Sequence, residues 1–396
     1  MKRIFALLFI FFMVAMVFTP AFIQASVTED SWITKAPMQQ ARSGLGVIAA
    51  NGCIYAIGGT QSGGDFIKAV VGTNEQYNMT SDAWIYKASM PTARAFFAIA
   101  TYQGKIYCFG GVVGEQLIDE RSGFYVVNST NAVEVYDSLT DTWEIKPPMP
   151  KGGGMYMSAQ VICGKIYVVN SPDIYVYDPV NGTWAERDNL PMPRYTAVTD
   201  NKIVATYAHE VTYPRSSPQY GDIVQQIMTY DPETNNITQG NDNPIAVDTG
   251  GVGATIGVNA PVRVYVLGGS LNQAYDPKTG NWMTATAMLT ARVDMGVVVV
   301  NDTLYVIGGY IRSDGATTSV NEQYLPIGYD TISSSPTASS STSSASGNQQ
   351  PATPAFSVLI VVVVVTVLVA AAMFLVRRRH VAENISCRRN IDAMLN

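Results

Sequence analysis

Tyr77-Asn78-Met79-Thr80-Ser81-Asp82-Ala83-Trp84 is the stretch on which the reading of this chain turns. A tyrosine followed seven residues later by a tryptophan recurs at Tyr136 and Trp143, Tyr177 and Trp184, and Tyr275 and Trp282. Trp32, the fifth tryptophan, has no such tyrosine before it, while Tyr230 and Tyr324 carry Ile237 and Thr331 at that offset. Six residues after each tryptophan stands a bulky apolar residue (Met38, Met90, Met149, Leu190, Met288). Four residues further comes Arg42, Arg94, Arg194 or Arg292, and glycine pairs follow at Gly58-Gly59, Gly110-Gly111 and Gly308-Gly309, with Gly268-Gly269 as a fourth.

From Arg42 to Arg292 the register advances five times over 250 residues. A strand-rich unit of about 50 residues is the period of a β-propeller blade. Within each unit, turns such as Asn51-Gly52 and Gln103-Gly104 suit two-residue hairpins. The runs Ile54 to Ile57, Ile106 to Phe109, Ile166 to Val169, Val264 to Leu267 and Leu304 to Ile307 read as strands buried on both faces. Six tyrosines (77, 136, 177, 230, 275, 324) count six blades. The two ends complement each other: Trp32 supplies a last strand, and Tyr324 belongs to a unit that lacks one. Pairing them closes the ring and leaves no open sheet edge.

Together these residues resemble the kelch repeat, with its glycine doublet, tyrosine, spaced tryptophan and an arginine opening the next unit. The resemblance covers Trp32 to Tyr324 and implies an all-β, six-bladed kelch-type propeller, closed by the N-terminal strand. The third unit departs from it, with Asn170-Ser171 for the doublet and Gly153 for the arginine. The fourth has Tyr207-Ala208 and Ile237, and the fifth has Val247 or Val252 near the arginine position. Blade edges in units three to five are therefore left open.

The flanks predict where the propeller works. Residues 1–25 read as a secretory signal: Lys2 and Arg3, an apolar run from Ile4 to Phe18, and small residues at Ala25-Ser26. The propeller spans 27–330. Residues 331–354, rich in Ser, Thr, Ala, Gln and Pro, carry too little apolar surface to fold and read as a stalk. Residues 355–376 hold no charge and, at about 1.5 Å per residue, match the roughly 30 Å hydrocarbon layer. Arg377-Arg378-Arg379 follow at once, so a single transmembrane helix with a cytoplasmic basic tail (377–396) and an extracellular propeller is expected. Five sequons then face outward as candidate glycosylation sites: Asn78, Asn128, Asn181, Asn236 and Asn301.

Composition narrows the function. The tail contributes +3 and the leader +2; with −6 overall, the outer portion carries −11, against a nucleic-acid partner. Its three cysteines, Cys53, Cys108 and Cys163, lie in or beside second strands and read as small buried hydrophobes, with one disulfide left open. The galactose-oxidase relatives share this repeat, but their copper needs two histidines; the outer portion has His209 alone, so no metal or other cofactor is expected. The adaptor role of intracellular kelch proteins does not fit an outer propeller without an oligomerisation domain.

The expected role is recognition at the cell surface, by adhesion to a protein or glycan ligand. The segments between doublet and tyrosine are long in units one, two, four and six, and long loops on one face of a rigid ring are suited to binding. In peptide-binding kelch proteins the arginine of each unit lines the channel mouth. By position this implies Arg42, Arg94, Arg194 and Arg292 as ligand contacts, with Ser43 and Tyr195 beside them, suiting carboxylates or acidic glycans. The competing reading gives those arginines only blade carbonyls to bind. Phe66, Phe124, Tyr125, Tyr213, Tyr220 and Tyr310 are loop aromatics that either stack on a ligand or pack on their own loops. The runner-up is a metal-free sugar epimerase similar to bacterial sialic-acid mutarotases, with His209, Glu210 and Arg215 as acid/base candidates.

Overall fold

The computed structural model describes residues 28–61, 69–119, 124–187, 195–210, 223–243, 245–247 and 250–329. The leader, the stalk, the apolar segment 355–376 and the basic tail lie outside them. Among the described residues no helix is long and apolar enough to cross a membrane.

Among the described residues six four-stranded antiparallel sheets form the blades, with two two-stranded ribbons beside them. The first comprises Gly46–Ala50, Cys53–Ile57, Asn74–Asn78 and Ala83–Lys87, joined in chain order. Its opening hairpin turns at Asn51-Gly52 with φ of 48° and 77°, the left-handed pair of a type I′ turn that matches the strand twist. Gln103-Gly104, Cys163-Gly164, Asp200-Asn201 and Asn301-Asp302 repeat it. Cys163 is therefore a half-buried turn residue and Cys53 a half-buried strand opener, which corrects the expectation of three buried hydrophobes. Of the three, Cys108 alone is fully buried, and burial pushes its thiol up to about 12. Cys53 and Cys108 are free thiols.

The sixth sheet contains both ends of the domain. Gly296–Val300, Thr303–Ile307 and Asn321–Leu325 are completed by Ser31–Lys35, with Trp32 directly opposite Tyr324. The remaining blades resolve the open boundaries. Blade three is Ser158–Ile162, Lys165–Asn170, Asp173–Asp178 and Thr183–Arg187. Blade four is Tyr195–Thr199, Lys202–Glu210, Ile223–Asp231 and Asn236–Gln239, and blade five starts at Gly251–Ala254 and ends at Asn281–Thr284. The first strand of each blade packs beside its two counterparts around the axis.

Six apolar cores each straddle one seam between blades. One joins Tyr77 and Trp84 of blade one to Tyr305 and Ile307 of blade six. The glycine doublet is what lets the blades close. A Cβ at Gly59 would stand 2.7 Å from the Ser43 carbonyl, and one at Gly308 would stand 2.6 Å from that of Arg42. Antiparallel alternation then sorts the connections. Doublet-to-tyrosine loops and blade-to-blade links share one face; the short hairpins share the other. Both Ser31 and Leu325 lie at the hairpin face, so the chain enters and leaves opposite the loops.

Candidate functional site

Arg42, Arg94 and Arg292 are 0%, 0% and 1% exposed. Arg42 donates to Glu75 at 2.9 Å and to the carbonyls of Gly58, Thr73 and Ala56. Arg292 donates to Glu322 at 2.6 Å and to Gly308, Val306 and Thr290. Arg94 pairs with Glu134 at 3.1 Å. Burial disfavours the charge and lowers all three guanidinium pKa values. They bind their own blades, so the expected guanidinium ring is corrected: these side chains present no surface to a ligand. Ser43 is buried too and exchanges backbone hydrogen bonds with Thr60. Arg194 lies outside the described residues.

Two residues before four of the inner strands the chain makes a different kind of repeat. Gly44, Phe96, Tyr156 and Asp294 have φ of 60°, 55°, 61° and 52°. Glycine adopts that left-handed conformation freely; a ring-bearing residue is strained there by about 1–3 kcal/mol. The strain is held by blade-to-blade hydrogen bonds around the mouth. Gly44 N–H donates to the Asp294 carbonyl (2.8 Å), and Phe96 N–H to that of Gly44 (2.7 Å). Met157 N–H donates to the Phe96 carbonyl (3.3 Å).

The consequence is an arc of half-buried rings across blades two to four. Phe96 meets Tyr156 edge-on at 5.0 Å, and Tyr156 meets Tyr195 at 6.3 Å. Below it the inner strands enclose a channel of about 370 Å³, walled largely by glycine, valine and alanine. Among its described lining residues Asp294 is the only charged one. Of the ligand contacts expected by position, Tyr195 alone among the described residues lines this channel. Phe96, Tyr156 and Asp294 were not legible as a set, because a shared φ, and no shared side chain, relates them.

The other candidates scatter. His209 and Glu210 lie on the second strand of blade four, opposite Val224 and Ile223; Arg215 is outside the described residues. Tyr310 is half-buried, its backbone paired with Val293. Phe124 and Tyr125 sit on a two-stranded ribbon, Val112–Asp119 with Phe124–Ser129, above blade two. Phe66, Tyr213 and Tyr220 are outside the described residues. All five sequon asparagines are exposed; Asn78, Asn181, Asn236 and Asn301 fall on the hairpin face and Asn128 on the loop-face ribbon. Among the described residues no three His, Cys, Asp or Glu side chains gather as a metal site.

The kelch motif matches residues 41–91, 93–150 and 291–327. Mouse Kelch-like protein 35 is 27% identical over 213 residues, covering 52% of this chain and 33% of that protein. Kelch-like protein terF of Aspergillus terreus is 24% identical over 302 residues, covering 69% and 62%. Human Kelch-like protein 23 is 25% identical, covering 74% and 42%, so the chain spans less than two thirds of these relatives. The structure of YjhT aligns with a TM-score of 0.53 at 15% identity, over 72% of this chain and 95% of that one, a likeness of fold alone.

Proposed function

This chain belongs to the kelch-repeat β-propeller family, and on that premise we propose that it is a binding module that captures a protein ligand at its channel mouth. The observation that carries this reading is the strained aromatic arc of Phe96, Tyr156 and Tyr195 beside Asp294. Two ring-bearing residues in left-handed backbone are worth their strain where the rings serve contact. Aromatic side chains supply the strongest anchors of protein interfaces, and a carboxylate beside them favours a basic partner residue.

Display at a cell surface fits the same reading. On this reading residues 355–376 are the anchor, and both described chain ends, Ser31 and Leu325, lie on the hairpin face, opposite the mouth. Four of the five sequons lie on the hairpin face, where an attached glycan would leave the mouth open. A glycan ligand is the narrower variant. The epimerase alternative would work through His209 and Glu210; it predicts turnover of sialic acids or related sugars by the purified chain.

The test uses glycine, which accepts the mouth's backbone while deleting its rings. Full-length protein is screened against arrays of surface proteins and glycans, and each hit is re-measured with Tyr156→Gly and Tyr195→Ala. Ligand capture should fall at least tenfold with melting temperature held or raised for Tyr156→Gly. Undiminished capture by both variants would place the ligand elsewhere and end this reading.

A further inference from the structure

Blade four breaks the repeat at the residue that elsewhere fills a seam. Trp84 and Trp143 each lie opposite a tyrosine and pack into the core shared with the preceding blade. In blade four Ile237 takes that register, opposite Tyr230. It packs against the seam core, which includes Ile162, Tyr167 and Val176 of blade three. The same three side chains line a pocket of about 540 Å³ that opens at this seam on the hairpin face. Replacing a large buried side chain by a small one leaves a cavity when the surroundings do not collapse, and such cavities take up ligands shaped like the missing group.

The walls say which ligand. Tyr167 and Trp184 give aromatic surface. The rim is electrically balanced in part: Lys165 pairs with Asp178 at 2.6 Å, and Lys202 with Asp231 at 3.2 Å. Asp200 and Glu233 add two further carboxylates against Arg187. An apolar floor with a carboxylate-rich rim suits a neutral planar ring that carries a hydrogen-bond donor.

We propose that the seam between blades three and four is a second binding site, independent of the channel mouth, which accepts an indole-type ring. The ring comes either from a small molecule or from a tryptophan side chain of a partner. It lies on the apolar seam core against which Ile237 packs in the register of the repeat's tryptophan.

Fluorine NMR of 5-fluoroindole with the full-length chain reads this directly. The wild type should broaden or shift the resonance saturably. Ile237→Phe should weaken binding at least threefold, and Ile237→Trp at least tenfold while raising the melting temperature. A blocked Gly-Trp-Gly peptide forms the second arm: tighter binding than free indole assigns the source to a protein side chain, weaker binding to a small molecule. No saturable change with either probe in the wild type overturns the proposal. So does equal binding by the wild type and whichever filled variant folds.

Discussion

Blades six, one and two differ from blades three, four and five in how they hold their neighbours. In the first group each tyrosine hydroxyl donates to an aspartate: Tyr77 to Asp82 (2.6 Å), Tyr136 to Asp141 (2.5 Å), Tyr324 to Asp30 (2.7 Å). The same carboxylate oxygen accepts a backbone N–H from the preceding blade, at Ala36, Ala88 and Thr286. The tryptophan two residues on donates to the carbonyl of that very residue, at 2.7, 2.7 and 2.8 Å. One residue of the neighbour is gripped at both its N–H and its carbonyl. In blade three Gly182 stands for the aspartate and Pro147, without an N–H, for the gripped residue. Tyr177 Oη and Trp184 Nε1 are left buried without partners among the described residues. Blade five keeps only Trp282 on the Asn241 carbonyl, and blade four has Asn235 and Ile237.

The buried ion pairs divide along the same line, and they give the largest expected difference. Where Glu75, Glu134 and Glu322 face an arginine, the same register holds Tyr175, Met228 and Gln273 in the other half. Glu75→Ala leaves the buried Arg42 guanidinium without its counter-charge and should cost about 3–5 kcal/mol by urea unfolding. Tyr175→Phe, at the matching place in blade three, loses one hydrogen bond to Asp173 and should cost about 1 kcal/mol. The double variant Arg42→Met with Glu75→Met should recover most of the loss, since an apolar pair avoids desolvating two charges. Equal costs for Glu75→Ala and Tyr175→Phe would erase the distinction between the halves.

That division explains what the sequence revealed and what it hid. Ring closure was legible because Trp32 and Tyr324 are halves of one pattern, and their pairing needs no knowledge of the space between. The arginines were legible as a repeat, whereas the burial of Arg42, Arg94 and Arg292 was not. Their partners were in plain view in Asn74-Glu75-Gln76-Tyr77 and Asn321-Glu322-Gln323-Tyr324, but 33 and 30 residues away in sequence. A glutamate two residues before the tyrosine, present in each unit whose arginine is buried, was the available signal. The mouth stayed hidden for a different reason. Gly44, Phe96, Tyr156 and Asp294 repeat a backbone conformation, which letters do not record.

A smaller effect tests whether the latch can be moved. Asp30, Asp82 and Asp141 all adopt positive φ (50°, 49° and 56°), and Gly182 already does at 68°. A Cβ at Gly182 would meet only Tyr177 Oη and Pro147 Cγ, at 3.8 and 3.9 Å. Gly182→Asp therefore has room and an orphaned hydroxyl to accept from. It should add about 0.5–1.5 kcal/mol, reduced by the left-handed cost of a Cβ and by the proline that offers no second donor. Gly182→Ala, which carries the cost without the acceptor, should destabilise. If both variants lower the melting temperature alike, the hydroxyl is not what the latch rewards.

The smallest effect is the one acid should show. The Tyr77 hydroxyl, then the Ala36 N–H, hold the Asp82 carboxyl below the usual carboxylate range; Tyr136 and Ala88 do the same for Asp141. A folded-state value below the unfolded one, about 3.9, means the latch contributes above that pH and fades as pH falls through the folded value. Asp82 and Asp141 are 43% and 41% exposed, so solvent screens much of the gain. The stability gap between wild type and Asp82→Asn should be constant near neutrality and close progressively below about pH 4. In hydrogen exchange, protection at the seam of blades six and one should fall over that window, while the seam of blades two and three, which has no carboxylate in its latch, keeps its own slope. A gap that widens on acidification would mean that Asp82 binds its proton more readily in the folded ring than out of it, the reverse of what Tyr77 and Ala36 impose.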